Sequence, residues 1–151
     1  MTITIYSIEK QQRDIYTPVL EHFEKMIGRY ARIVQRPIQT NQIVKAQQRG
    51  EHEAQRAYTA AFNPYLKGYN VALHPEGKLV DSLEFSENFA INSALNFFIG
   101  GAYGFEPSFL RRMDRVISLG RVTMGHKIAK VVLFEQIYRG LTIREGHPYH
   151  K

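Results

Sequence analysis

Three short stretches carry the residue types that could do chemistry. Ile99-Gly100-Gly101-Ala102-Tyr103-Gly104 closes an apolar run, and glycines at a strand end let backbone approach a ligand and adopt positive φ. Ser118-Leu119-Gly120-Arg121-Val122-Thr123-Met124 is a mixed loop that suits the same task. Each also fits a plain turn between a strand and its successor. Pro148-Tyr149-His150-Lys151 gathers a ring, an imidazole and a cation, groups able to stack on a base, move a proton or hold an anion. Other chemistries fail on spacing. Gly120-x4-Gly125-His126-Lys127 places histidine where a P-loop needs lysine. No G-x-G-x-x-G follows the first apolar stretch, and neither G-x-S-x-G nor H-E-x-x-H occurs. His147-x-x-His150 is an incomplete metal site, so no metal is expected. With no cysteine, thiolate catalysis, disulfides and cysteine-ligated zinc are excluded.

The elements that must position these stretches follow from periodicity. Strands are expected at Thr2–Tyr6, Tyr30–Val34, Tyr69–Leu73, Ala94–Ile99 and Arg115–Leu119. Ile15, Val19, Leu20, Phe23, Met26 and Ile27 fall at helical spacing, with Thr17 as the expected cap and Pro18 at the first helical position. Gln39 to Tyr58 is polar with few apolar anchors and reads as an exposed helix or a mobile segment. A turn is expected through His74–Lys78, and a helix capped by Asp81 or Ser82 carrying Leu83, Phe85, Phe89 and Ile91. Pro107–Met113 suggests a short helix, and His126–Leu141 a long amphipathic one, with Gly146–Lys151 as a tail. Strands alternating with helices predict a single α/β domain over residues 1–151, its sheet mostly parallel with helices on both faces. In such a sheet ligands bind beyond the carboxyl ends of the strands. The stretches starting at Leu73, Gly100 and Leu119 are therefore the places to look.

At 44% apolar and 23% charged residues, the 151-residue chain has the composition of an ordinary globular domain. Its apolar runs are far shorter than the ~20 residues that span a bilayer, and Met1–Ile5 lacks the basic segment of a signal peptide. A cytoplasmic location without membrane contact is expected. The net charge is +6, and residues 106–151 hold nine basic against four acidic side chains. That concentration favours a polyanionic partner, with Arg111, Arg112, Arg115, Arg121, Lys127 and Lys130 as candidate phosphate contacts.

Taken in order, Leu73 with Gly77-Lys78, Ile99-Gly100-Gly101-x-x-Gly104, the Leu119–Met124 loop, and His126…Glu135-Gln136-x-Tyr138-Arg139…Pro148-Tyr149-His150-Lys151 resemble the ribosomal RNA large subunit methyltransferase H family, a minimal group of the SPOUT class. His74 and Gly120-Arg121 depart from that family's pattern. The resemblance implies a SPOUT-type fold with a deep C-terminal trefoil knot, a homodimer, and methyl transfer from S-adenosylmethionine to N3 of a pseudouridine in 23S rRNA, on the ribosome. It implies that Leu73, Gly100, Leu119, Gly120, Arg121, Val122, Thr123 and Met124 hold the cofactor. It also implies catalytic roles among Arg139, Tyr149, His150 and Lys151, with His150 as base, or Arg139 or Lys151 as stabiliser of an imide anion. The rival expectation is a non-catalytic RNA- or ribosome-binding protein that keeps the fold.

Overall fold

The computed structural model describes residues 1–90 and 93–151. Five strands, β1 (Thr2–Ile8), β2 (Arg32–Ile38), β3 (Tyr69–Leu79), β4 (Ala94–Ile99) and β5 (Arg115–Ser118), form one sheet in the order β2-β1-β4-β3-β5. Every pairing is parallel. Parallel sheets need cover on both faces, and the alternating side chains of β1 show how it is supplied. Ile3 and Ile5 point into one core with Leu20, Phe85, Leu133, Phe134 and Ile137. Tyr6 and Ile8 point into a second core with Ile43, Tyr58, Phe62 and Phe109.

The first face is covered by α1 (Thr17–Ile27), α4 (Ser82–Ser86) and α6 (His126–Arg144). Thr17 is the first helical residue of α1 rather than its cap, which falls on Tyr16 with no side-chain bond. Asp14 instead shapes the entry: its Oδ1 accepts from Tyr16 N at 2.8 Å, and its own N–H donates to Thr17 Oγ1 at 2.9 Å. Asp81 caps α4 in a reciprocal capping box with Glu84. The expected helical position at Ile91 lies outside the described residues.

The second face is covered by α2 (Asn41–Arg49), α3 (Glu51–Phe62) and α5 (Pro107–Leu110). The polar stretch Gln39–Tyr58 is thus neither mobile nor a single exposed helix. Thr40 caps α2 by accepting from Ile43 N at 3.1 Å, and Gly50, at φ +120°, lets the chain break into α3. Its anchors are few, with Ile43, Ala46, Ala54, Ala57 and Tyr58 buried.

β2 runs further than expected, through Pro37 to Ile38. The Arg32 N–H and the Ile38 carbonyl bond toward β1, which turns the alternate residues, Pro37 among them, to the outer edge where no ladder donor is needed. The turn expected at His74–Lys78 is an excursion of β3. The strand leaves its ladder at Leu73 and rejoins at Lys78, both paired with Ile117.

Candidate functional site

The carboxyl ends of β3, β4 and β5 enclose a cleft of about 560 Å³. Its walls are the 73–76 excursion, the 99–105 turn, the loop from Leu119 to His126, and Ala129 in the first turns of α6. Little of the lining is charged. Among the described lining residues Glu76 is the one carboxylate.

The glycine turn is shaped by close approach. Gly104 N–H donates to the Gly101 carbonyl at 3.1 Å, and Gly104 takes φ +73°. A Cβ on Gly100 would lie 2.9 Å from the Gly104 carbonyl oxygen, so Gly100 is required by the turn folding on itself. A Cβ on Gly101 would lie 2.6 Å from the Tyr58 ring. α3 therefore supports the turn from behind, and Gln55 adds a bond from Nε2 to the Tyr103 carbonyl at 2.9 Å. Burial, first of all, pushes the Tyr58 phenol above its ordinary range, against hydrogen bonds from the Tyr103 and Ala102 backbone that pull it down. None of this support was legible from the Gln39–Tyr58 segment by its polarity.

The second wall is held by side chain to backbone bonds. Ser118 Oγ donates to the Gly120 carbonyl at 2.8 Å and accepts from its N–H at 3.2 Å, with Gly120 at φ +144°. Arg121 donates to the Pro75 carbonyl and fastens this loop to the β3 excursion. Leu73, Leu119, Gly120, Val122, Thr123 and Met124 line the cleft; Arg121 ties it from the rim.

The tail residues assemble elsewhere. Glu135, on α6, accepts from Arg139 Nε at 3.0 Å, from Arg139 Nη2 at 2.6 Å and from the Tyr149 hydroxyl at 3.1 Å, all on Oε1. The Arg139 guanidinium lies 4.7 Å from the Tyr149 ring centre, within cation–π range. Tyr138 meets Tyr149 edge-on at 4.7 Å, and Arg139 Nη1 lies 3.2 Å from His150 Nδ1. The bond to Glu135, above all, holds the Arg139 guanidinium firmly charged. Burial, then the bond to Glu135, pushes the Tyr149 phenol up. Lys151 is exposed at the end of this cluster. Sequence reading gave Glu135 no role, although its i, i+4 spacing to Arg139 is a helix ion-pair signal. Thirteen residues of α6 separate His126 at the cleft from Arg139, about 20 Å along the axis.

The basic candidates do not form one footprint. Lys130 is corrected outright: it is 3% exposed, and its ammonium sits 2.6 Å from Glu9 Oε2, out of reach of a phosphate. Lys127 is ion-paired with Asp14, which holds that carboxyl below its ordinary range and the ammonium above its own. Arg112 bonds Asn63 at 2.7 Å and Arg115 bonds Asn88 at 3.0 Å. These two and the exposed Arg111 stand before or at the start of β5, the end of the strand away from the cleft. Among the described residues no helix is long and apolar enough to cross a membrane, and no group of three or more potential metal ligands occurs.

Comparison with known proteins agrees with this architecture. A family model described as "Predicted SPOUT methyltransferase" matches residues 1–150. The chain belongs to the SPOUT methyltransferase family. Its relatives within that family include proteins named ribosomal RNA large subunit methyltransferase H. That of Aliarcobacter butzleri is 48% identical over 151 residues, covering 100% of both chains. That of Wolinella succinogenes is 49% identical over 154 residues, again covering 100% of both. That of Campylobacter concisus is 44% identical over 151 residues with the same coverage. This SPOUT methyltransferase is an enzyme, and its all-parallel α/β sheet is the family's scaffold.

Proposed function

We propose that this protein transfers a methyl group from S-adenosylmethionine to N3 of a pseudouridine in 23S rRNA, on the ribosome and hence in the cytoplasm. The reading is carried by the glycine-turned, nearly uncharged cleft at three strand ends, in a chain whose full-length relatives bear the rRNA methyltransferase name. The cleft suits an adenosyl group. Its volume falls in the range of small-molecule sites, and its lining is mostly apolar side chains and glycine-turn backbone with few charges, which suits a neutral purine. Leu73, Gly100 and the Leu119–Met124 loop would hold it, with Arg121 closing the rim. When bound, S-adenosylmethionine supplies a sulfonium methyl that departs to leave a neutral thioether.

The chain's own residues must present N3 in line with the methyl and deal with the N3 proton. Positioning of this kind can supply ~7–11 kcal/mol of a barrier. The tail supports a donor role for His150. Arginine has donors only, so His150 Nδ1 accepts from Arg139 and the neutral ring keeps its proton on Nε2. That N–H is suited to stabilising the oxygens of an imide anion, with Arg139 charged behind it. Tyr149 is the candidate to stack on the base.

A cleft and a tail about 20 Å apart on one helix favour a homodimer in which each tail completes its partner's cleft. Ile15, Val19 and Ile128, exposed at 82%, 42% and 42%, flank the Lys127–Asp14 pair and offer an apolar surface for it. The C-terminal trefoil knot belongs to the same reading. It is supported by the family match over residues 1–150. The test is methyl transfer to ribosomes from a strain lacking the modification, with the product nucleoside identified by mass spectrometry. Methyl-N3-pseudouridine in large-subunit rRNA is the expected product; no transfer together with no S-adenosylmethionine binding by calorimetry overturns the reading. A monomeric mass by light scattering at micromolar concentration overturns the dimer.

A further inference from the structure

Beside the cofactor cleft a second pocket of about 270 Å³ opens at the carboxyl end of β1. Ala102 and His126 belong to both, so the two are adjoining compartments. The sheet order puts β2 on one side of β1 and β4 on the other, and such a switch in strand order is where α/β sheets open a binding crevice. Three carboxamides line this pocket from three separate segments: Gln12 after β1, Gln39 after β2 and Gln47 on α2. Ile8 supplies an apolar wall. A carboxamide NH₂ donates, which suits the two carbonyls that flank N3 of an imide base and leaves N3 itself free.

Gln47 is fixed in orientation. The Tyr58 ring packs beneath Gly101, and its hydroxyl donates to Gln47 Oε1 at 2.5 Å. The amide oxygen of Gln47 therefore faces Tyr58, and its NH₂ is the end left for a ligand. One buried hydroxyl thus joins the turn that walls the cofactor cleft to a donor in the adjoining pocket.

We infer that this carboxamide-lined pocket receives the acceptor nucleobase, that Gln47 donates to a carbonyl flanking its reacting N3, and that Tyr58 is the positioning residue tying the base subsite to the cofactor turn. The inference rests on the rRNA methyltransferase reading and specifies where its substrate sits. As the N3 proton passes to solvent water, negative charge spreads onto the flanking oxygens, and a fixed donor gains strength there.

The test compares the full-length enzyme with Gln47→Glu and Gln39→Ala, using unmodified ribosomes. Gln47→Glu keeps an acceptor for Tyr58 but replaces the NH₂ by an oxygen that repels the base. Its kcat/KM for ribosomes should fall about 10- to 100-fold, with S-adenosylmethionine affinity and Tm as in the parent. Gln39→Ala, at an exposed position, should give a smaller fall of the same kind. Unchanged transfer in Gln47→Glu overturns the inference, as does a fall matched by equal loss of cofactor affinity, which marks a merely structural role. Failure of the parent enzyme to methylate ribosomes would be seen before any variant is compared, and would overturn the functional reading itself.

Discussion

The strand-end cleft and the tail cluster are built on opposite plans. The cleft is made of backbone: a turn folded so tightly that Gly100 and Gly101 admit no Cβ, and a loop pinned through Ser118 to Gly120. The tail is made of side chains that converge on one oxygen, Glu135 Oε1. A backbone site tolerates a range of outward side chains, and here two of them brace the loops themselves. His74 Nδ1 accepts from its own turn at Glu76 N, 3.1 Å away, and Arg121 reaches across to Pro75. A site gathered on one carboxylate has no such tolerance.

The contrast breaks most sharply by deletion. Truncation after Gly146 removes Tyr149, His150 and Lys151 and should lower kcat by ~10²–10⁴, while calorimetry still finds S-adenosylmethionine bound and light scattering still finds the dimer. Near-normal kcat and KM would take the tail out of the active site. The reverse lesion is Gly101→Val, which drives a side chain into the Tyr58 ring. Overpacking of this kind costs ~1–3 kcal/mol, and it should weaken S-adenosylmethionine binding in calorimetry about 10-fold or more while leaving the tail cluster in place. Intact affinity in a folded variant would mean the turn does not wall the site. The smallest effect sharpens the tail's side of the comparison. Tyr149 titrates above the ordinary value of 10.0, through burial first and Glu135 second. A raised folded pKa gives stability that is complete below pH 10 and lost as pH rises through the raised value. Ultraviolet titration should show a late tyrosine ionisation coupled to tail release, shifted to lower pH in Glu135→Gln.

The fold was legible wherever burial follows a period. β1 was readable from the alternation of Ile3 and Ile5 and β4 from its unbroken apolar run, whereas α6 was readable as a helix but not by its face: Ile128 is exposed, and Leu133, Phe134 and Ile137 enter the core. α2 and α3 were not readable, since Ile43, Tyr58 and Phe62 are widely spaced among alanines and polar residues, a weak apolar signal that becomes a core only when Phe98 and Phe109 are brought against it. The same long-range logic hid the site's supports. Gly100 and Gly101 stood out as residue types, but what requires them, Gly104 and Tyr58, is visible only in the folded chain. The basic C-terminal third misled for the complementary reason. Charge counts along a sequence ignore that Lys130 meets Glu9 and Lys127 meets Asp14, each more than a hundred residues away in sequence.

Pro37 has a consequence beyond the sheet that holds it. Along the outer edge of β2 the backbone row that would recruit another strand contains Ile33, Gln35 and Pro37, and the last offers no hydrogen to a newcomer. Arg32 and Arg36, exposed on the same strand, add like charge against a second copy of that edge. Growth of the sheet from molecule to molecule stops there. Copies of this protein are steered away from open-ended ribbons grown on that edge.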